Sequence, residues 1–129
     1  MTAATRKALR PVNRAPSSKR TSVCLPEAMR AEIETTMTKQ GVSTKRRSQW
    51  IERAITDLHE QPSFGELVLE EFIEPGRNVT IPVTLSITVK QLVDDTAEAL
   101  TEGTGRAVER SSVIRTAISQ ALIRNWGAR

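Results

Sequence analysis

Few groups in this chain are suited to covalent chemistry. Cys24 is the only cysteine and His59 the only histidine, so no Cys/His set has metal-ligand spacing and no internal disulfide can form. The adjacent carboxylates Asp94 and Asp95, like Glu70 and Glu71, have neither a histidine nor a glycine-rich loop beside them in the sequence. No set of nucleophile, base and orienter emerges, and neither an enzyme nor a cofactor or metal is expected. What the chain has in quantity is cationic hydrogen-bond donors. Arg6, Lys7, Arg10, Arg14, Lys19 and Arg20 precede Thr21 with no acid among them, and Lys45, Arg46 and Arg47 form a second cluster. Glu60, Glu66, Glu70, Glu71 and Glu74 make the middle acidic. A net charge of +4 fits a polyanionic partner, a property that bears on association and not on fold. Aromatics are only 3% of residues, with no Tyr, so stacking platforms for single-stranded nucleic acid are not expected.

The elements that must position these groups can be read from periodicity. With 129 residues the chain can hold one compact domain, or two very small units that must share a core to bury enough apolar surface. No apolar run reaches the roughly 18 residues of a membrane span, and one cysteine fits a reducing cytoplasm. Residues 1–18, rich in Ala, Pro, Ser, Arg and Lys, read as a disordered basic tail. From Thr21 to Leu25 the pattern alternates: Thr21, Val23 and Leu25 share one face, and Arg20, Ser22 and Cys24 the other. Pro26 suits the first turn of a helix. That helix carries Met29, Ile33 and Met37 and ends at Gly41. After the turn from Ser43, Ser48 is expected to cap a second helix with the stripe Trp50, Ile51, Ala54, Ile55 and Leu58, stopped before Pro62.

The same order returns. Val79, Ile81, Val83, Leu85 and Ile87 alternate with Thr80, Pro82, Thr84, Ser86 and Thr88. Thr88 with Gln91 forms a capping-box pattern opening a helix through Leu92, Val93, Thr96, Ala97 and Leu100, which ends near Gly103 to Gly105. A last helix starts near Ser111 with the stripe Val113, Ile114, Ala117, Ile118, Ala121 and Leu122. The second helices align at an offset of 63, Ser48 on Ser111, and the strands at 62, Leu25 on Ile87, which requires a one-residue difference in the first helix or its turn. Residues 62–78 form an acidic linker whose apolar Leu67, Val68, Leu69, Phe72 and Ile73 suggest a short strand or a helical turn packed on the core.

Arg20-Thr-Ser-Val-Cys-Leu-Pro26, a helix, a basic turn and Ser48-Gln-Trp-Ile-Glu-Arg-Ala-Ile55 together resemble the ribbon-helix-helix family of bacterial and plasmid regulators. The second copy resembles it as well, with Thr88 where the first has proline. The resemblance implies a mainly α fold with a two-stranded antiparallel ribbon. One unit would span 19–61 and the other 79–127, sharing a single core as an intramolecular pseudo-dimer. It also implies a ribbon that enters the major groove of double-stranded DNA. Tandem units in one chain resemble the accessory proteins of conjugative DNA transfer, of the TraY type and the T-DNA-processing type, which assist a relaxase.

In a ribbon with one face on helices, the opposite side chains project outward. The expected base readers are therefore Arg20, Ser22 and Cys24 from one strand and Thr80, Thr84 and Ser86 from the other. Arg20 suits guanine O6/N7, while Ser and Thr discriminate less. Two unlike strands imply unequal half-sites, with Arg20 dominating one. Unpaired N–H groups at the starts of the second helices suit phosphate. Lys45, Arg46, Arg47 and Ser48 would flank one such helix start, and Arg106, Arg110 and Ser111 the other. The expected partner is duplex DNA, bound by a monomeric pseudo-dimer, with multimerisation on DNA left open. Transcriptional autorepression of the partition or antitoxin type, or an adaptor that recruits a relaxase, are the alternative roles.

Overall fold

A computed structural model describes residues 17–72 and 76–127; the side chains of residues 126 and 127 lie outside the description. The expected basic tail falls almost wholly outside it. Strand β1 (Ser18–Pro26) leads into α1 (Glu27–Lys39), a 3-10 turn at Thr44–Arg46, and α2 (Arg47–His59). A short helix α3 (Phe64–Leu69) follows, then β2 (Asn78–Ser86), α4 (Ile87–Thr104) and α5 (Arg110–Gly127). The molecule is mainly helical, with one two-stranded antiparallel sheet formed by β1 and β2.

Alternation builds the sheet. Val23 and Leu25 of β1, and Ile81, Val83 and Leu85 of β2, are buried, while the residues between them are exposed. A lone two-stranded sheet is marginal in water, so this apolar face needs a cover. The helices supply it through Ile33, Met37, Ile51, Ile55, Leu58, Val93, Ile114 and Ile118, all in one core cluster with the strand residues. Each buried Val, Leu or Ile contributes on the order of 1.5–3 kcal/mol of transfer free energy.

Packing is crosswise. Helix α2 lies against β2 and α5 against β1, and α2 and α5 pack on each other. Each second helix therefore covers the strand from the other half of the chain. Gly41 (φ 74°) and Gly105 (φ 70°) follow α1 and α4 in the left-handed conformation that closes a helix without a Cβ penalty.

Several sequence expectations change in position. Pro26 is the last residue of β1 and the N-cap of α1, not a first-turn residue. The capping box at Thr88 and Gln91 does not form. Ser86 is the N-cap of α4, its hydroxyl accepting from the Val89 N–H at 3.3 Å. That cap ends the strand two residues early and moves Ile87 into the helix, 38% exposed. The alternation seen in the sequence runs past the strand because a period of two cannot tell its final residues from a cap. Leu25 therefore corresponds to Leu85, not Ile87, and the strands align at 60, Ser18 on Asn78 and Pro26 on Ser86. On this alignment Met29, Ile33 and Thr36 fall on Val89, Val93 and Thr96. The second helices stay at 63, Arg47 on Arg110, three more than the strands and not the one expected, because α4 is five residues longer than α1 while the connection after it, 105–109, is two residues shorter than 40–46.

The acidic linker holds a helix, not a strand. Val68 is buried, Phe64 and Leu67 pack against the core, and the Phe64 ring lies 4.6 Å from that of His59. His59 is itself held on both ring nitrogens, by the Ile55 carbonyl and the Thr96 hydroxyl, each at 2.8 Å. Two residues past α3 the Glu71 carboxylate accepts from Arg115 at 2.7 Å, with side chains only 14% and 11% exposed.

Candidate nucleic-acid interface

The outer face of the ribbon gathers most of the predicted readers. Register places Arg20 opposite Thr84, Ser22 opposite Pro82 and Cys24 opposite Thr80, and all six are exposed. The ribbon centre falls at Ser22 and Pro82, so Arg20 corresponds to Thr80 and Cys24 to Thr84 across that centre. Ser86 stands apart. It lies at the strand end with its hydroxyl engaged as the α4 cap, opposite Ser18. Ser18 shares the outward parity and is exposed; the period-two signal reached it, but the basic tail composition masked it.

Two serines hold the ribbon's edges. The Thr84 N–H donates to Ser48 Oγ at 2.9 Å, and the Cys24 N–H donates to Ser111 Oγ at 3.2 Å. Thr84 answers to Cys24 and Ser48 to Ser111, so the two bonds occupy matching places. Neither serine fills the expected capping role toward its own helix: α2 starts at Arg47 with no side-chain cap, and both hydroxyls turn to the strand from the other half. Edge N–H groups otherwise open to pairing are thereby satisfied. N–H direction alternates along a strand, so Pro82 shares the outward direction of Thr84 and removes no ladder bond.

One turn further along the same helices the matching places differ in charge. Glu52 Oε1 accepts the Ser86 N–H at 2.7 Å, whereas Arg115 donates to the Cys24 carbonyl at 2.7 Å while held by Glu71 and the Ser112 hydroxyl. Neither residue stands out in the sequence. Their only signal was a helix position on the strand-facing side, and the contacts cross between halves of the chain.

The predicted phosphate cations are not equivalent. Lys45 and Arg46 are exposed on the 3-10 turn, and among the described residues neither has an acidic partner. Arg47 stands 3.9 Å from Glu34, and Arg110 stands 3.6 Å from Asp94. That contact also offsets the charge of Asp94 Oδ1, a buried oxygen without a hydrogen bond. Arg106 donates to the Leu69 carbonyl at 2.9 Å, which ties it to the end of α3. Of the predicted phosphate cations, Lys45 and Arg46, just before Ser48 in the chain, are thus the ones without an acidic partner among the described residues, while Arg47 and Arg110 face carboxylates and Arg106 is held by the linker. Among the described residues no group of three metal-ligating side chains occurs, and no helix is long and apolar enough to cross a membrane.

No protein-family model matches the chain, and no curated protein or solved structure matches it.

Proposed function

We propose that this chain binds double-stranded DNA sequence-specifically, as two ribbon-helix-helix units that form an intramolecular pseudo-dimer and insert their shared ribbon into the major groove. The observation that carries the reading is the crosswise pair of serine contacts, Ser48 to β2 and Ser111 to β1, beneath a polar ribbon face open to solvent. A two-stranded ribbon fits the major groove, where Arg20 would meet a guanine edge and the hydroxyls of Ser22, Thr80 and Thr84 would meet less discriminating partners. Lys45 and Arg46 would hold phosphate, which positions the protein without reading sequence. In this reading the protein acts as an accessory factor in plasmid or mobile-element DNA transfer.

Selection of duplexes from a random pool, followed by titration at two salt concentrations, tests the proposal. Arg20→Ala should lower preference for the selected sequence by about tenfold or more while keeping most nonspecific affinity. Arg46→Ala should weaken all duplexes alike and reduce the salt slope by about 1. Unchanged binding in both variants would overturn the ribbon assignment. A promoter fusion separates a transfer role from autorepression.

A second reading, as an adaptor that recruits a relaxase or other transfer protein, draws on a different surface. Phe72 and Ile123 are 79% and 51% exposed and line a cavity of about 430 Å³ with Met29 and Leu67, between α1, α5 and the linker. Co-purification of one partner with no shift of any duplex would favour it.

A further inference from the structure

We infer, on the duplex-binding reading above, that the chain grips phosphate with one half of its interface only and therefore sits on a duplex in a single orientation. The two halves share one plan in their inner charges. Arg47 faces Glu34 at 3.9 Å and Arg110 faces Asp94 at 3.6 Å, and each acid is also paired on its own helix, Glu34 with Arg30 and Asp94 with Lys90. Each of these cations has a carboxylate neighbour, with Arg110 the more exposed of the two at 57% against 24% for Arg47, so the sharper difference between the halves must lie elsewhere.

The difference lies just before them. On the alignment of the second helices, Lys45 and Arg46 of the first half fall on Val108 and Glu109 of the second. Val108 is packed against the core, and Glu109 is exposed. Glu109 lines a surface cavity of about 630 Å³ with Glu98 and Glu102, and this cavity extends to Ser22 of the ribbon and to Ser111. Where one half offers phosphate Lys45 and Arg46, the other offers Glu109 at the matching place, with Glu98 and Glu102 close by and Arg110, which faces Asp94, as the one cation among the described residues on that cavity.

The ribbon adds to the same imbalance. Arg20 is paired with Thr84, whose N–H is held by Ser48 in the first turn of α2, beside Arg46 and Arg47. The single charged reader and the cations Lys45 and Arg46 therefore fall on one side of the ribbon centre, while the exposed Arg77 precedes β2 at the other end. On the other side Cys24 faces Thr80, and Ser111 follows directly on Glu109 and Arg110. Such charges act over the roughly 8 Å Debye length at physiological salt, so the acidic side would repel nearby phosphates while the basic side attracts them.

Glu109→Arg tests this as a gain of function, which a folding defect cannot mimic. Fluorescence anisotropy on a pool-selected duplex should show binding about tenfold tighter at low salt. The slope of log affinity against log salt should steepen by about 1 for the added phosphate contact. Glu109→Gln should move both readouts the same way by less, and it guards against loss of the favourable acid at the start of α5. Scrambling the half of the duplex that lies under Arg20 should weaken wild-type binding at least about tenfold, against less than about threefold for the other half. Equal costs for the two halves, or no change with Glu109→Arg, would overturn the inference and leave duplex binding standing. A pool that enriches no sequence, with no binding at low salt by any variant, would overturn the DNA reading and this inference together.

Discussion

Both halves of the chain hold the ribbon with the same device, a serine hydroxyl accepting an edge N–H, yet they present opposite charges next to it. Ser48 and Ser111 do the same work at matching places, while Lys45 and Arg46 on one side stand against Val108 and Glu109 on the other. The same holds one turn deeper, where Glu52 accepts from the backbone of β2 and Arg115 donates to the backbone of β1. Scaffold and surface are thus separable. Contacts that fix the ribbon must be repeated, because either edge would otherwise leave N–H groups open. Residues that face outward are free to diverge, and a single polypeptide can vary them independently in a way a homodimer cannot.

The largest expected effect tests the deeper pair. Arg115→Ala should cost about 2–3 kcal/mol in urea unfolding, since it strands the Glu71 carboxylate, only 14% exposed, without its partner. Its counterpart Glu52→Ala removes one hydrogen bond and should cost about 1 kcal/mol. Equal costs would mean that the linker latch adds nothing to the second half.

Next comes the proposed reading face. Arg20→Ala should lower discrimination between the selected duplex and one with a single substituted guanine by about tenfold or more, read by competition binding. Thr80→Ala, at the matching place, should lower it by less than about fivefold, because a hydroxyl contact discriminates weakly. A larger loss at Thr80 would reverse the proposed strong and weak sides.

The scaffold serines supply the symmetric control. Ser48→Ala and Ser111→Ala should each lower stability by about 0.5–1 kcal/mol, and by similar amounts, because water can partly replace the lost acceptor at an exposed edge. A difference of more than about 1 kcal/mol between them would show that the two edges are not held alike.

The smallest effect concerns the start of α1, where Glu27 has no acidic counterpart because Ile87 takes its place in α4. The Arg30 guanidinium donates to Glu27, at 2.9 Å from Nε, and holds its carboxyl below the usual glutamate range. A depressed folded-state value contributes stability that is present above the unfolded-state value and lost as pH falls through the folded one. Side-chain NMR should therefore find Glu27 titrating below an unpaired glutamate, and Arg30→Gln should return it to the ordinary range.

Much of the fold was legible in the sequence because its signals are local. Period-two alternation identified Arg20, Ser22, Cys24, Thr80 and Thr84 as one polarity, and the helical stripes at Ile51, Ile55, Ile114 and Ile118 marked the core. The same local signal overran at Ile87, where only the cap formed by Ser86 decides that the strand is over. It also left the linker's form open, since five apolar residues without a clean period do not choose between helix and strand.

The sequence by itself determined the order of strand, helix and helix in each half, the two faces of each strand up to its cap, and the basic and acidic clusters, all set by neighbours a few positions apart. Tertiary structure decided which of the predicted cations have partners among the described residues. Arg106 and Arg110 read in sequence like Lys45 and Arg46, but one is tied to the Leu69 carbonyl and the other faces Asp94. Crosswise packing likewise turned Ser48 and Ser111 from helix caps into acceptors for the ribbon, each bonded to a strand distant in the chain. An ion pair or an edge hydrogen bond depends on which surfaces meet, and that follows from burial of the shared apolar core rather than from any spacing along the chain.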